Sequence, residues 1–257
     1  MRRTLADIEL APGPSRAEVP LTLLVKRLAS RFALPPEATD TLLDLPFVLR
    51  DYQPGQVIVR EGDRVRYCTF VLTGFVTRYK LVGDGGRQIV AIHLSGDFVD
   101  LQHILLDRAD HSIHALTLAT VAQFPADALI RLAYQFPEIG KALWLESLVE
   151  AATFREWIAN VGRRDARART AHLLCELATR RQAAGLGAVD TFELPMTQEQ
   201  LGDALGLTSV HINRTLRGLE SEGLIRRSKR AVVVADWPAL QRAGDFNPNY
   251  LHLGDKP

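Results

Sequence analysis

The spacing of apolar residues changes twice along the chain and divides it into three parts. Between residues 21 and 45 apolar positions recur at helical spacing, and Pro36 can begin the second of two helices. From Phe47 to Phe124 the period falls to two, and short apolar runs alternate with turns. Helical spacing returns at Ala126. This order predicts an α+β protein in which an antiparallel β domain precedes a helical one.

The β region contains many turn signals. Gln53-Pro54-Gly55 and Gly83-Asp84-Gly85-Gly86 are examples, and the turns separate about seven or eight short strands, including residues 57–59, 67–72, 75–82, 87–94, 111–118 and 121–124. Short strands at this density, with no helices between them, indicate an antiparallel β-roll or jelly roll. Such a barrel leaves space for a small ligand between its sheets, which suits a sensor domain.

A long helix is predicted from Pro137 to about residue 161, and it is apolar on more than one face. One seam steps four, three, four and three residues, as in a coiled coil, through Trp144, Leu148, Ala151, Arg155 and Ile158. Two apolar faces require two partners, which we interpret as the β domain and a second subunit. The alternative is a helix that is fully buried in a core. Gly162 is predicted to end the helix and to act as a hinge.

Residues 196–225 predict two helices joined by a tight turn. Thr197 can cap the first helix and Gly206 can end it. The second helix, residues 208–222, begins at a Thr208 or Ser209 cap, and its apolar stripe consists of Ile212, Leu216 and Leu219. Its opposite face is polar and basic. This layout is typical of a helix-turn-helix, whose second helix enters the major groove of DNA, although an ordinary helical hairpin in a core has the same apolar pattern.

A basic hairpin follows the helix pair. Residues 224–225 begin a strand, residues 226–230 (Arg-Arg-Ser-Lys-Arg) are predicted to form a turn, and residues 231–235 form a β-branched return strand. Helix, helix and basic hairpin together indicate a winged helix-turn-helix. The charge distribution supports DNA as a partner, because residues 163–230 contain twelve Arg and Lys against eight Asp and Glu, although the net charge of the whole chain is only +1.

The bulk composition limits the class of protein without identifying it. The chain has 257 residues, of which 47% are apolar and 24% charged, values typical of a globular protein with two domains. Cys68 and Cys175 are far apart, which argues against a disulfide scaffold, a zinc module and a four-cysteine iron–sulfur site. Neither a membrane-spanning apolar run nor a secretory signal is visible. We therefore expect a cytoplasmic protein with no membrane partner.

The β-roll, the long helix and the winged helix-turn-helix together resemble the Crp/Fnr superfamily of bacterial transcription regulators. The resemblance covers about residues 45–235, and its motifs are Pro54-Gly55, Glu61-Gly62-Asp63, Gly74, residues 94–98 (Leu-Ser-Gly-Asp-Phe), residues 163–166 (Arg-Arg-Asp-Ala) and residues 207–214 (Leu-Thr-Ser-Val-His-Ile-Asn-Arg). It implies a homodimer that binds double-stranded DNA, with its recognition helices in successive major grooves about 34 Å apart. RNA polymerase is a further expected partner if the protein activates transcription.

The resemblance also implies roles for residues of the recognition helix. Arg214 falls on the base-reading arginine, whose fork can bind O6 and N7 of guanine, and Ser209, Val210 and Asn213 fall on the other reading positions. Many members carry glutamate where this chain has Val210, so we expect a different half-site. Contacts to DNA phosphates are expected from Thr197, Thr208, His211, Arg217, Arg227, Lys229 and Arg230.

The β-roll departs from the members that bind cyclic nucleotides. Those members have a Gly-Glu pair after the Gly-Asp-Phe turn and, later, an arginine for the phosphate, neither of which stands at the matching positions here. The candidate effector pocket consists of Asp97, Phe98, Asp100, His111 and Ser112. An unidentified effector, or none, is favoured over cyclic AMP, over a redox switch at Cys68, and over haem or metal bound by His93, His103, His111 and His114. We predict no cofactor and no metal site.

The predicted domains are a mobile lead-in (1–20), the β-roll sensor domain (21–136), a dimerisation helix (137–162), the winged helix-turn-helix domain (163–240) and a C-terminal tail (241–257). The leading hypothesis is a dimeric, sequence-specific DNA-binding transcription regulator. The alternative is a ligand-binding sensor that acts through protein partners and uses its helix-turn-helix as a contact surface. An enzyme is not expected, because no nucleophile is paired with a base and no glycine-rich loop is placed to bind phosphate.

Overall fold

A computed structural model describes residues 20–83, 85–228 and 230–254. The predicted lead-in, up to residue 19, lies outside the described residues. The helices are α1 (Pro20–Arg31), α2 (Pro36–Leu43), α3 (Ala126–Gln135), α4 (Pro137–Arg163), α5 (Ala166–Ala183), α6 (Gln198–Leu205), α7 (Ser209–Ser221) and α8 (Trp237–Ala243), with 3-10 turns at Leu101–Ile104 and Pro248–Leu251. The strands are β1 (Val48–Tyr52), β2 (Val57–Val59), β3 (Tyr67–Thr73), β4 (Val76–Leu81), β5 (Arg87–His93), β6 (Ser112–Ala115), β7 (Ala119–Pro125), β8 (Thr191–Glu193), β9 (Ile225–Ser228) and β10 (Ala231–Val234).

The first seven strands form the predicted antiparallel β-roll. One sheet has the order β1-β7-β3 and the other has the order β2-β6-β4-β5, and every pairing within them is antiparallel. Gly74 makes the sharp turn between β3 and β4 with a φ of 81°. A Cβ atom at that position would lie 2.2 Å from the carbonyl oxygen of Leu118, so both the conformation and the space require glycine. The prediction of an α+β fold with a β-roll is confirmed.

An aromatic core joins the β-roll to the helices around it. Phe70 lies edge-on to Phe98, with ring centroids 5.0 Å apart, and Phe124 packs behind it. Leu24 and Leu28 of α1 are fully buried in the same cluster, together with Leu42, Leu129 and Ile139 from α2, α3 and α4. The N-terminal helices are therefore part of the core of the β domain, because their apolar stripes cover a face of the roll that would otherwise contact water.

The long helix α4 has 27 residues, which corresponds to a length of about 40 Å. Its inner face, including Ile139, Ala142, Leu143 and Trp157, is buried against the rest of the chain. The predicted seam faces outward, since Trp144 is 68% exposed, Leu148 50% and Ile158 69%. The alternative of a fully buried core helix is therefore wrong. The prediction that Gly162 ends the helix is also wrong, because α4 continues through Arg163 and the chain becomes extended only at Arg164.

The C-terminal domain includes α5, α6, α7 and a three-stranded sheet in the order β8-β10-β9. Asp165 caps α5 by accepting a hydrogen bond from the backbone N–H of Ala168 at 2.8 Å. Every residue of α5 from Thr170 to Ala178 is buried, so this helix is the central element of the domain. The third strand, β8, is only three residues long, and the apolar periodicity did not predict it.

The predicted boundary at residue 240 is incorrect, because it falls inside α8. Asp236 caps α8, and the chain then folds back across α5 instead of leaving as a tail. Gly244 lies so close to α5 that a Cβ atom there would be 2.6 Å from the backbone nitrogen of His172. Tyr250 stacks on the His172 ring and Leu251 is buried. These contacts fix a segment that was predicted to be a C-terminal tail.

Candidate nucleic-acid interface

Two capped helices build the candidate interface. The Thr197 hydroxyl accepts from the N–H of Gln200, and the Gln200 side chain accepts from the N–H of Thr197, which completes a capping box at the start of α6. Gly206 ends α6 with a φ of 63°, a conformation that favours glycine. The Thr208 hydroxyl then caps α7 by accepting from the N–H of His211 at 3.2 Å. The predicted caps and the predicted tight turn are confirmed.

The second helix, α7, has one buried face and one free face. Ile212, Leu216 and Leu219 are buried in the core of the domain. The other face borders a shallow depression lined by Gln198, Ser209, Val210, Asn213, Arg214 and Arg217. All four predicted base-reading residues therefore lie together. Val210 is 77% exposed, which is unusual for an apolar side chain on a polar helix face and leaves it available for contact with a partner.

Gln198 is a member of this surface that the sequence reasoning missed. It is the first residue of α6, directly after the Thr197 cap, and its side chain reaches the same depression as the recognition helix. Arg169 was missed as well. Its guanidinium donates to the backbone oxygens of Leu205 at 3.0 Å and Arg164 at 2.7 Å, so it binds the last turn of α6 to the start of the domain. A side chain that donates to a helix C-terminus leaves no local pattern in the sequence.

The wing differs from the prediction in its register. Strand β9 extends to Ser228, so Arg226 and Arg227 lie in the strand and not in the turn. Arg227 is partly buried and donates to Glu220 of α7 at 2.7 Å. This hydrogen bond and charge hold the pKa of Glu220 below its ordinary value. Arg227 thus joins the wing to the recognition helix, while Arg226 and Arg230 are exposed. Lys229 lies outside the described residues.

The five predicted effector residues do not share one pocket. Asp97 and Phe98 line a cavity between α1, β5, α4 and α5. The other three bond within the roll: Asp100 accepts from the N–H of Thr69 at 2.6 Å, the Ser112 hydroxyl accepts from the N–H of Glu61 at 3.0 Å, and His111 contacts Asp110 at 2.7 Å. Burial is the main reason that the pKa of His111 falls to about 4.

Arg78, which the sequence reasoning did not single out, fills part of the interior of the roll. It is 4% exposed, donates to the backbone oxygen of Val99, and forms an ion pair with Glu150 of α4 at 2.8 Å. The roll thus binds its long helix through an internal charge pair.

Within residues 20–83, 85–228 and 230–254, no three His, Cys, Asp or Glu side chains are arranged to hold a metal ion. The helices in these ranges also include none with the length and apolar character needed to cross a membrane.

A β-roll joined by a long helix to a winged helix-turn-helix, with a free basic face on the second helix, defines a DNA-binding transcription regulator. Comparison with protein families agrees with this class. A cyclic nucleotide-binding domain matches residues 49–135, and a Crp-like helix-turn-helix domain matches residues 168–243. The chain belongs to the Crp/Fnr family of transcription regulators.

Individual relatives support the assignment. The chain is 33% identical over 201 residues to the transcriptional activator protein FnrL of Cereibacter sphaeroides, covering 76% of this chain and 80% of FnrL. It is 33% identical over 175 residues to the nitrogen fixation regulation protein FixK of Bradyrhizobium diazoefficiens, covering 68% and 72% of the two chains. The solved structure of FixK2 from Bradyrhizobium japonicum superposes with a TM-score of 0.72 at 28% identity, covering 77% of this chain and 98% of that one. Two of these relatives, FnrL and FixK, are named as a transcriptional activator and a regulation protein.

Proposed function

We propose that the protein is a homodimeric transcription regulator that binds a two-fold symmetric DNA site by inserting α7 into the major groove. The observation that carries this proposal is the free face of α7, where four side chains suited to reading bases lie together while the opposite stripe is buried. A helix of 13 residues, capped at Thr208 and supported by the wing through Arg227 and Glu220, is a rigid element for this purpose.

Each side chain on this face has a chemical role in the proposal. Arg214 binds O6 and N7 of a guanine, and a bidentate pair of this kind discriminates against the wrong base by about 1–3 kcal/mol. Val210 contacts a thymine methyl group, while Asn213 and Ser209 supply hydrogen bonds to neighbouring bases. Phosphates on either side are bound by Thr197, Thr208, Arg217, Arg226, Lys229 and Arg230. Arg226 replaces Arg227 in this set because Glu220 already occupies the Arg227 guanidinium.

A second copy of the chain covers the exposed seam of α4 in this proposal. Trp144, Leu148 and Ile158 would otherwise place three large apolar side chains in water along one helix. Their spacing, with Ala151 and Arg155 between them, suits knobs-into-holes packing against an identical helix. Pairing along α4 also gives the two-fold axis that relates the two recognition helices.

The proposed regulator does not require a cyclic nucleotide. His111 stands where cyclic-nucleotide-binding members have their phosphate-binding arginine, and the buried cation of the roll, Arg78, is already neutralised by Glu150. The relatives named as activators also suggest that RNA polymerase is the protein partner at a promoter.

Random-site selection with the purified protein, read by sequencing, tests the main proposal. We expect a palindromic site whose half-site centres are separated by about 10 base pairs. Gel shifts of the selected duplex at about 0.15 M salt then give the ratio of specific to non-specific affinity, which should be about a thousandfold or more. The alternative, a ligand-binding sensor that acts through protein partners, predicts no enrichment of any sequence.

A further inference from the structure

Arg180 joins the DNA-binding domain to the sensor domain. It lies on α5, and one terminal nitrogen of its guanidinium is 2.8 Å from the carboxylate of Asp97 and 2.8 Å from the backbone oxygen of Ile92. Both acceptors belong to the β-roll, in β5 and in the turn that follows it. The other terminal nitrogen donates to Glu176, one turn earlier on α5, at 3.1 Å. A single planar side chain therefore connects the two domains.

The carboxylate of Asp97 forms ion pairs with two arginines. In addition to Arg180, it lies 3.2 Å from a guanidinium nitrogen of Arg27 on α1, and it accepts from the N–H of Leu94 at 2.9 Å. Burial opposes ionisation of this carboxyl, but the positive charges of Arg180 and Arg27 outweigh it and hold its pKa below the ordinary value. Asp97 thus serves as the shared acceptor of the sensor, the N-terminal helix and the DNA-binding domain.

The network continues through the long helix and the end of the chain. Glu146 of α4 accepts from Arg27 and Arg31, and Arg31 also donates to the backbone oxygen of His252 at 2.9 Å. Glu176 is fully buried and accepts from Trp157 of α4 at 2.9 Å and from the hydroxyl of Tyr250 at 2.8 Å. The returning C-terminal segment therefore contacts both α1, through Arg31, and α5, through Glu176, at the junction.

A second contact fixes rotation about this junction. Arg87 of β5 forms an ion pair with Asp203 of α6 at 2.7 Å, and the Gln88 amide donates to the backbone oxygen of Ala204 at 3.3 Å. The β-roll therefore contacts the DNA-binding domain at two points, one on α5 and one on α6. With a single contact the domain could rotate relative to the roll, whereas two contacts fix its orientation. Neither point uses the free face of α7, so the reading surface stays accessible in this arrangement.

We propose that Arg180 and Asp97 are positioning residues for DNA recognition. They fix the orientation of the DNA-binding domain on α4, and through the dimer they set the separation of the two recognition helices. This inference rests on the proposed function, since it requires a dimer that reads two half-sites. Asp97 keeps Arg27 and Arg180 keeps Glu176 when the other partner is removed, but the charge contact between the two domains is lost, and with it the preference for one arrangement. The protein should therefore discriminate strongly between operators that differ only in half-site spacing.

The test uses the full-length chain and three duplexes. One duplex is the selected operator, one has a single base pair inserted at its centre, and one contains a single half-site. Wild-type protein should bind the inserted operator about tenfold more weakly than the selected one, since one base pair rotates the second half-site by about a tenth of a helical turn. Arg180→Met and Asp97→Asn should reduce this ratio to about threefold or less. Affinity for the single half-site should not change, because neither residue lies on the reading face.

Three further variants separate positioning from a general loss of structure. Arg180→Lys keeps the charge but cannot bind three acceptors in a plane, so it should also relax the spacing preference. The double variant with Arg180→Met and Asp97→Asn should be no more relaxed than either single variant, as expected for two residues in one contact. Arg242→Met, which changes an exposed arginine of the same domain, should retain the wild-type ratio.

The outcomes distinguish this inference from the proposed function. If wild-type protein binds no duplex specifically, the proposed function fails. If wild-type protein binds and discriminates spacing, but Arg180→Lys and Asp97→Asn discriminate equally well, the positioning role is overturned while the regulator assignment stands. Relaxed spacing with unchanged half-site affinity supports the positioning role, because simple destabilisation would weaken binding to all three duplexes alike.

Discussion

Arg214 donates a hydrogen bond to the Nε2 atom of His211, which lies three residues earlier on α7. An arginine only donates, so His211 accepts through Nε2 in this contact. The contact holds the guanidinium over the free face of the helix before DNA is present. The resemblance to Crp/Fnr members implied a phosphate contact for His211, whereas its geometry suits orientation of Arg214, the residue proposed to read a base.

Substituting His211 therefore tests preorganisation of Arg214. His211→Ala frees the guanidinium, and ordering one long side chain costs about 0.5–1.5 kcal/mol, which corresponds to a two- to tenfold higher Kd for the selected operator. His211→Gln retains an acceptor at a similar reach and should recover most of the loss. Competition gel shifts measure both variants. An equal loss in the two variants would show that the imidazole contacts phosphate and does not orient Arg214.

Arg214 and Arg217 lie on the same helix face but should behave differently. Arg214→Ala removes a contact to a base edge, so it should cost about 1–3 kcal/mol on the selected site and relax the sequence preference at one position. Arg217→Ala removes a phosphate contact, so it should weaken binding on all sequences and reduce the slope of log K against log salt by about one. Titrations at several salt concentrations with selected and random duplexes separate the two effects. Equal losses for Arg214→Ala on both duplexes contradict base reading.

The seam of α4 predicts the oligomeric state. Leu148→Glu places a charge in the middle of the proposed coiled-coil interface, where burying an unpaired carboxylate is costly. The dimer dissociation constant should rise at least about tenfold, since loss of one buried leucine contact alone is worth more than about 1.4 kcal/mol. Sedimentation equilibrium gives the constant directly. Leu105→Glu is the matched control, because Leu105 is 79% exposed and lies outside the seam. A monomer in the wild-type protein, or an unchanged constant in Leu148→Glu, contradicts this interface.

Local patterns in the sequence predicted the elements that carry the reading surface. Thr197, Gly206 and Thr208 each act within three or four residues of their own position, so their roles as caps could be inferred from neighbouring residues alone. The seam of α4 was predictable for the same reason, since its period depends only on helical geometry. The three caps lie at the predicted residues, and Trp144, Leu148 and Ile158 of the seam face outward.

The junction between the domains could not be predicted in this way. Arg180 and Asp97 are separated by 83 residues, and no local pattern around either residue pairs it with the other. Arg27 and Arg31 appear in the sequence as ordinary charges on an amphipathic helix, although they bind a buried glutamate on α4. The predicted position of the turn in the wing was wrong for a related reason. A basic run suggested a turn, but Glu220 attracts Arg227 into the strand.

Buried histidines in the β-roll predict the pH dependence of stability. Burial, assisted by nearby arginines, lowers the pKa of His111 and of His114 to about 4, and it also lowers the pKa of His93. In the unfolded chain these groups take up protons near pH 6.5. Between pH 6.5 and 4 the unfolded state therefore binds more protons than the folded state, so the free energy of unfolding falls as the pH decreases through this window.

Urea unfolding at pH 7.5, 6.0 and 5.0 measures this effect. Each histidine can contribute a slope of up to about 1.4 kcal/mol per pH unit, and these groups contribute no slope above about pH 7.5. His114→Gln should reduce the slope, because glutamine does not titrate and can replace the contact of His114 with the Thr77 hydroxyl at 3.2 Å. Lys26→Gln, which changes no histidine, is the control and should leave the slope unchanged. Equal free energies of unfolding at pH 7.5 and 5.0 would contradict neutral, buried histidines in the folded roll.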